Sequence, residues 1–118
     1  MEIFNLTQHP ATKTQIDAGV TGSLTQEQKE GLNFTDIPSR EEIEDRAENL
    51  ARIVGLAGFN KAMIGGAPFF MRPLETALEA HGIQPVFAFS MRKSVEKEVD
   101  GKVTKVNVFE HQGFVGLN

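Results

Sequence analysis

The stretch SREEIEDRAENLARIVGLAGFNKAMIGGAPFF, residues 39–70, decides the fold class. It reads as a helix, a short strand, a glycine turn and the start of a second helix. Ser39 and Glu42 stand at capping-box spacing, and Glu41 and Glu42 put negative charge at the positive end of the helix. Ile43, Ala47, Leu50, Ala51 and Val54 recur with the helical period, so one face of this helix expects a sheet to pack on. Gly58 is the stop. Lys61–Ile64 then gives a short strand that runs into Gly65, Gly66, Ala67 and Pro68. The next helix carries Leu74, Ala77 and Leu78 and ends near Gly82. Pro73 either kinks that helix or marks where its regular part begins.

Towards the N-terminus, residues 2–7 form an apolar run that stops at His9 and Pro10, which predicts a central, mostly buried first strand. Thr12–Gly19 reads as a short helix, and Thr21, Gly22 and Ser23 read as a break. Leu24–Leu32 is a weakly amphipathic stretch, and Asn33–Ile37 a brief strand closed by Pro38. Towards the C-terminus, Pro85–Ser90 is apolar on both faces, as expected of a strand inside a covered sheet. Lys93–Val99 and Lys102–Phe109 flank Asp100-Gly101, a dipeptide suited to a two-residue hairpin turn. That turn sets a register in which Val99 pairs with Lys102, Val95 with Val106, Glu96 with Lys105 and Ser94 with Asn107. One hairpin face then carries Val95, Val99, Val106 and Val108, and the other Arg92, Ser94, Glu96, Lys105 and Asn107. Strands alternating with helices and closed by a hairpin imply an α/β class: a three-layer, Rossmann-like domain with a mainly parallel sheet and a C-terminal β-hairpin.

The 118 residues suit one domain, 1–118, because two halves would each be too small to bury a core. With 40% hydrophobic and 24% charged residues, the chain is far from the composition of disorder. A net charge of -4 argues against duplex nucleic acid as a partner. No run approaches the roughly 20 apolar residues of a membrane span, and Met1-Glu2-Ile3-Phe4-Asn5 lacks the features of a signal peptide. The expectation is a soluble, cytoplasmic protein that does not engage a membrane. The absence of cysteine removes thiolate chemistry and suits a reducing compartment.

Ligands of open α/β sheets bind beyond the carboxyl ends of the strands. Three segments meet that condition. The first strand ends in Thr7, Gln8 and His9, the Lys61 strand in Gly65, Gly66 and Ala67, and the Pro85 strand in Ser90, Met91 and Arg92. Glycines let a backbone approach a ligand, and a helix start without a capping side chain leaves N–H donors for an anion. The same segment reads equally as a tight strand-to-helix turn. It is neither a Walker loop nor the dinucleotide fingerprint. Ser90, Arg92, Ser94 and Glu96 alternate onto one strand face, where an arginine fork suits a phosphate. His9 suits proton transfer or a local turn contact. His111 either joins the site or faces solvent, and His81 looks structural. Phe69 and Phe70 read as core before they read as base-stacking groups. The three histidines lack metal-ligand spacing, so no metal or other cofactor is expected.

The segment NLTQHPAT at residues 5–12 resembles the opening of small CRISPR-associated ring-nuclease-like (CARF-like) proteins, and the SMR segment at 90–92 after a strand supports the likeness. The resemblance implies an antiviral-defence homodimer that binds cyclic oligoadenylate across its two-fold axis. It further implies metal-independent phosphodiester cleavage, with the RNA 2′-hydroxyl as nucleophile. In that reading Arg92 stabilises phosphate charge, His9 assists proton transfer, and Thr7, Gln8, Gly65, Gly66, Ala67, Ser90 and Ser94 contact the substrate. A non-catalytic nucleotide sensor and a small interaction protein of a mobile-element or defence locus remain the alternatives.

Overall fold

The computed structural model describes residues 2–116. The elements run β1 (Ile3–Leu6), α1 (Lys13–Asp17), β2 (Val20–Ser23), a 3-10 turn (Gln28–Leu32), α2 (Arg40–Leu56), β3 (Lys61–Ile64), α3 (Pro68–Ala80), β4 (Gln84–Val99) and β5 (Lys102–Gly116). They form one five-stranded sheet in the order β2-β1-β3-β4-β5, parallel except for β5, which is antiparallel to β4.

Both long helices sit on one face. Phe4 and Leu6 of β1 and Ala62 and Ile64 of β3 pack against Leu50, Ala51 and Val54 of α2 and Phe70, Leu74 and Leu78 of α3. Each fully buried Val, Leu, Ile or Phe among these contributes about 1.5–3 kcal/mol relative to an exposed one. Alternation along the strands sends Ile3, Val20, Met63 and Val86 to the opposite face, where Ala11 and Phe114 pack on them. The cover there is thin, for α1 is five residues long and buries none of them.

The helix signals act as expected. Ser39 Oγ accepts a hydrogen bond from the Glu42 backbone N–H at 3.1 Å, and α2 is further supported by the i,i+4 pairs Arg40–Glu44 at 3.0 Å and Glu42–Arg46 at 2.8 Å. Pro73 lies inside α3, which runs unbroken from Pro68 to Ala80. His81 Nε2 lies 2.7 Å from Glu48 Oε1 and ties the end of α3 to α2, a structural role.

Three readings need correction. The supposed break at Thr21-Gly22-Ser23 belongs to β2. Gly22 is there for space: a Cβ would stand 2.6 Å from the rings of both Phe4 and Phe59. Asn33–Ile37 forms no strand; its extended, Pro-closed pattern finds no neighbour to pair with. The Pro85 strand does not end at Ser90 but continues to Val99.

That continuation gives the molecule its shape. Beyond a bulge where Gln112 has no partner, ten pairs from Ser90–His111 to Val99–Lys102 form a two-stranded arm, about 34 Å long at the usual rise per residue. β3 pairs with β4 only as far as Met63–Val86, so the arm projects beyond the sheet's neighbouring strand. The expected register holds at all four pairs. Asp100 (φ 53°) and Gly101 (φ 75°) both adopt the positive φ that this turn demands. The radius of gyration is 16.6 Å, against about 13.5 Å for a compact domain of this length.

Candidate functional site

From β1 the chain builds the sheet in both directions, to β2 on one side and to β3 and β4 on the other. A crevice opens between the carboxyl ends of two neighbouring strands where such an order reverses. Here those strands are β1 and β3, and a cavity of about 380 Å³ lies there.

One wall is the segment after β1, with Thr7, Gln8 and His9. It is held by Asn5, whose side chain is buried at the end of an apolar strand. Asn5 Oδ1 accepts the Thr7 backbone N–H at 3.0 Å and the Thr7 hydroxyl at 2.6 Å, while Asn5 Nδ2 donates to the His9 carbonyl at 2.9 Å. A side-chain amide thus replaces the strand ladder once β1 has ended, fixing the path of residues 7–9. The second wall is the turn from β3 into α3, with Gly65, Gly66 and Ala67. Gly66 has φ +139°, a conformation that other residues rarely adopt. α3 starts at Pro68 with no side-chain cap on its N–H groups.

The third wall comes from the loop before α2 and from the first turn of α3. Phe34 packs edge-on against Phe69 and Phe70, at 5.0 and 5.2 Å between ring centroids. Arg46 of α2 fastens this loop by donating to the Asn33 carbonyl at 2.6 Å and placing its guanidinium 4.3 Å from the Phe34 ring centroid. Phe70 is core, as expected, whereas Phe69 is 49% exposed beside the cavity. His9 is the only titratable side chain among the lining residues.

Six of the nine residues expected at a site therefore converge: Thr7, Gln8, His9, Gly65, Gly66 and Ala67. Ser90, Arg92 and Ser94 do not line this cavity. They lie on the arm, and Arg92 is six residues beyond Val86, the partner of Met63, or about 20 Å along the strand. Arg92 sits opposite Phe109 with its guanidinium 5.7 Å from that ring's centroid. His111 neither joins the cavity nor faces solvent. It lies inside β5 opposite Ser90 and stacks edge-on with Phe114 at 4.8 Å, with both ring nitrogens shielded and unpartnered.

Asn5, Phe34 and Arg46 went unread in the sequence. A lone Asn in the strand IFNL is a detectable signal, since a buried amide needs partners. Phe34 and Arg46 come together only through the packing of a loop on α2, which no local pattern announces. A shallower groove of about 650 Å³ runs between α2 and α3, past Ala47, Pro73 and Ala77. Arg40, Glu44, Glu48, Arg72 and Thr76 also line it, and it lies on the helical layer rather than at the carboxyl ends of the strands. Among the described residues no cluster of three or more His, Asp or Glu could hold a metal ion, and no helix is long and apolar enough to cross a membrane.

A family model described as "Uncharacterized protein MJ1673 family" matches residues 1–115. The chain belongs to this family. The MJ1673 match spans both the glycine-turn and post-β1 walls and the whole of the arm. No curated protein and no solved structure matches the chain.

Proposed function

We propose that this domain is a Rossmann-like, cytoplasmic binding module that holds a small nucleotide-type ligand in the crevice between β1 and β3. The make-up of that crevice carries the reading. At the uncapped start of α3, Pro68 has no N–H and the Phe70 N–H already bonds the Ala67 carbonyl at 3.0 Å, which leaves the Phe69 N–H as a donor for a phosphate oxygen; Thr7 and Gln8 supply polar groups, and half-exposed Phe69 supplies a face for a base. The volume lies within the range of small-ligand sites. The ring-nuclease resemblance implies cyclic oligoadenylate as this ligand, which would present one nucleotide at a time to the crevice.

Binding is favoured over cleavage. The lining holds one titratable side chain and no cation, and Arg92 stands on the arm. The pairing of His9 for proton transfer with Arg92 for phosphate charge is thus not assembled at this cavity within one chain.

The test is thermal unfolding with AMP, linear oligoadenylates and cyclic tetra- and hexaadenylate in EDTA, with chromatography of the nucleotide afterwards. A ligand at a hundred times its Kd stabilises the fold by about 2.7 kcal/mol. The expected outcome is a raised Tm with at least one of these, intact nucleotide, and loss of the shift in Phe69→Ala. No shift with any nucleotide overturns the proposal. Cleavage that Arg92→Ala abolishes would replace it with the phosphodiesterase reading.

A further inference from the structure

The arm leaves one long strand edge open. β5 is the outermost strand of the sheet, and Lys102–Glu110 runs along it without a proline or a bulge until the ladder breaks at Gln112. Edge strands are ordinarily kept short or interrupted, because their free N–H and C=O groups are a template for another strand. Which groups are free follows from the turn. In a two-residue turn with both central φ positive, the Lys102 N–H bonds the Val99 carbonyl, so Lys102 points its backbone groups inward at β4. Alternation then turns those of Val103, Lys105, Asn107 and Phe109 outward. Val103 and Phe109 are also the most exposed large apolar side chains of the described strands, at 67% and 72%.

A strand that pairs here must meet those four positions with outward groups of its own and set suitable side chains opposite them. The edge of β5 itself does so. Turned about a two-fold axis through Val106, perpendicular to the sheet, a second β5 runs antiparallel to the first. Val103 then faces Phe109 and Lys105 faces Asn107, each pair exchanging two backbone hydrogen bonds, and Lys102 faces Glu110. Val106 meets its own counterpart, which lines up Val95, Val106 and their two copies in one row across four strands. Neighbouring registers lose this match. An axis at Lys105 sets two ammonium groups opposite each other, and one at Asn107 sets Lys105 against Phe109 and Thr104 against Glu110. We propose that two copies of this chain join their β5 edges, antiparallel about Val106, into a four-stranded arm.

The remaining charges tolerate this pairing. The two Lys105 side chains come diagonal to each other, but each has Glu96 directly opposite in its own hairpin. Lys93 of one copy and Lys97 of the other stand three strand spacings apart, about 14 Å, beyond the Debye length of about 8 Å at physiological salt. Glu110 holds Lys93 at 3.4 Å and is half-exposed, so it also takes the incoming Lys102. The turn of each copy falls beside the bulge of the other, where the ladder ends, and the two helical bodies lie at opposite ends. The proposal uses no residue of the crevice and stands apart from the nucleotide reading.

Proline separates the two edges of the arm, because at an outward position it removes an N–H and leaves the hairpin's own ladder intact. Asn107→Pro does this on the β5 edge, and Ser94→Pro, at its cross-strand partner, does it on the β4 edge. Sedimentation equilibrium of the full chain, from low to high micromolar, is expected to take the wild type and Ser94→Pro from the mass of one 13.0 kDa chain to that of two, and to leave Asn107→Pro at one. Circular dichroism verifies folding. The chain has no cysteine, so Val106→Cys supplies its only thiol. At the axis the two thiols lie opposite each other within disulfide reach and link on mild oxidation, whereas Val95→Cys, about 14 Å from its counterpart, stays unlinked. Should Asn107→Pro fail to fold, the cysteine variants decide alone. A single-chain mass for the wild type at every concentration overturns the proposal. So does association that survives Asn107→Pro or that Ser94→Pro abolishes equally, and so does a Val95→Cys that links as readily as Val106→Cys.

Discussion

Asn5 decides whether the crevice has a wall. Its amide satisfies the Thr7 N–H and hydroxyl and the His9 carbonyl at once. Asn5→Ala orphans the Thr7 N–H, leaves the Thr7 hydroxyl and the His9 carbonyl only each other at 3.1 Å, and costs about 1–3 kcal/mol in urea unfolding. Because it also frees residues 7–9, nucleotide affinity falls by about tenfold or more in the same variant, the penalty of lost preorganisation. A stability loss with unchanged affinity would show that the post-β1 segment does not take part in binding. At this scale the sequence was half legible. Gly65, Gly66 and Ala67 were readable as a strand-to-helix turn at the carboxyl end of the sheet because glycines between a strand and a helix have a local meaning, and His9 as a neighbour of that turn because it follows a strand. Arg92 was misplaced because its strand was thought to stop at Ser90, whereas strand pairing with β5 carries it on.

Among the elements, β2 shows what a pattern reading misses. Thr21-Gly22-Ser23 has breaker composition, yet the strand exists because β1 offers it a parallel ladder and because Gly22 leaves room for the rings of Phe4 and Phe59. Those rings meet edge-on at 5.3 Å between centroids. Gly22→Ala drives a methyl into both and is expected to destabilise by about 1–3 kcal/mol, the usual cost of overpacking. Calorimetry measures it, and a neutral result would mean that Phe59 can swing away. The helices were far easier to read. Ser39, the Ile43–Val54 stripe and Gly58 each act within a few residues of chain, so α2 could be placed from sequence with both its ends. The hairpin register was equally local, fixed by Asp100-Gly101. What joins β4 to the arm is long-range pairing, and that has no local signature.

For the molecule as a whole, stability is distributed unevenly. β1 and β3 lie between neighbours in the sheet and supply buried side chains to both faces, whereas most arm residues are exposed. Local opening costs least where few apolar contacts must break. Hydrogen exchange at low concentration should therefore find the amides of residues 3–6 and 61–64 the slowest and those of 90–111 among the fastest. Protection across 90–111 equal to that of residues 3–6 would contradict this uneven distribution.

The projecting arm also governs how the protein moves through solution. An outline of 56 × 35 × 26 Å drags more water than a sphere of equal mass. A single chain will therefore elute from a sizing column ahead of compact standards of 13.0 kDa. Its Stokes radius reports the arm before it reports any second copy. Chains must accordingly be counted by mass, from scattered light or sedimentation equilibrium, and the gap between the two kinds of measurement becomes a direct gauge of how far the arm stands out.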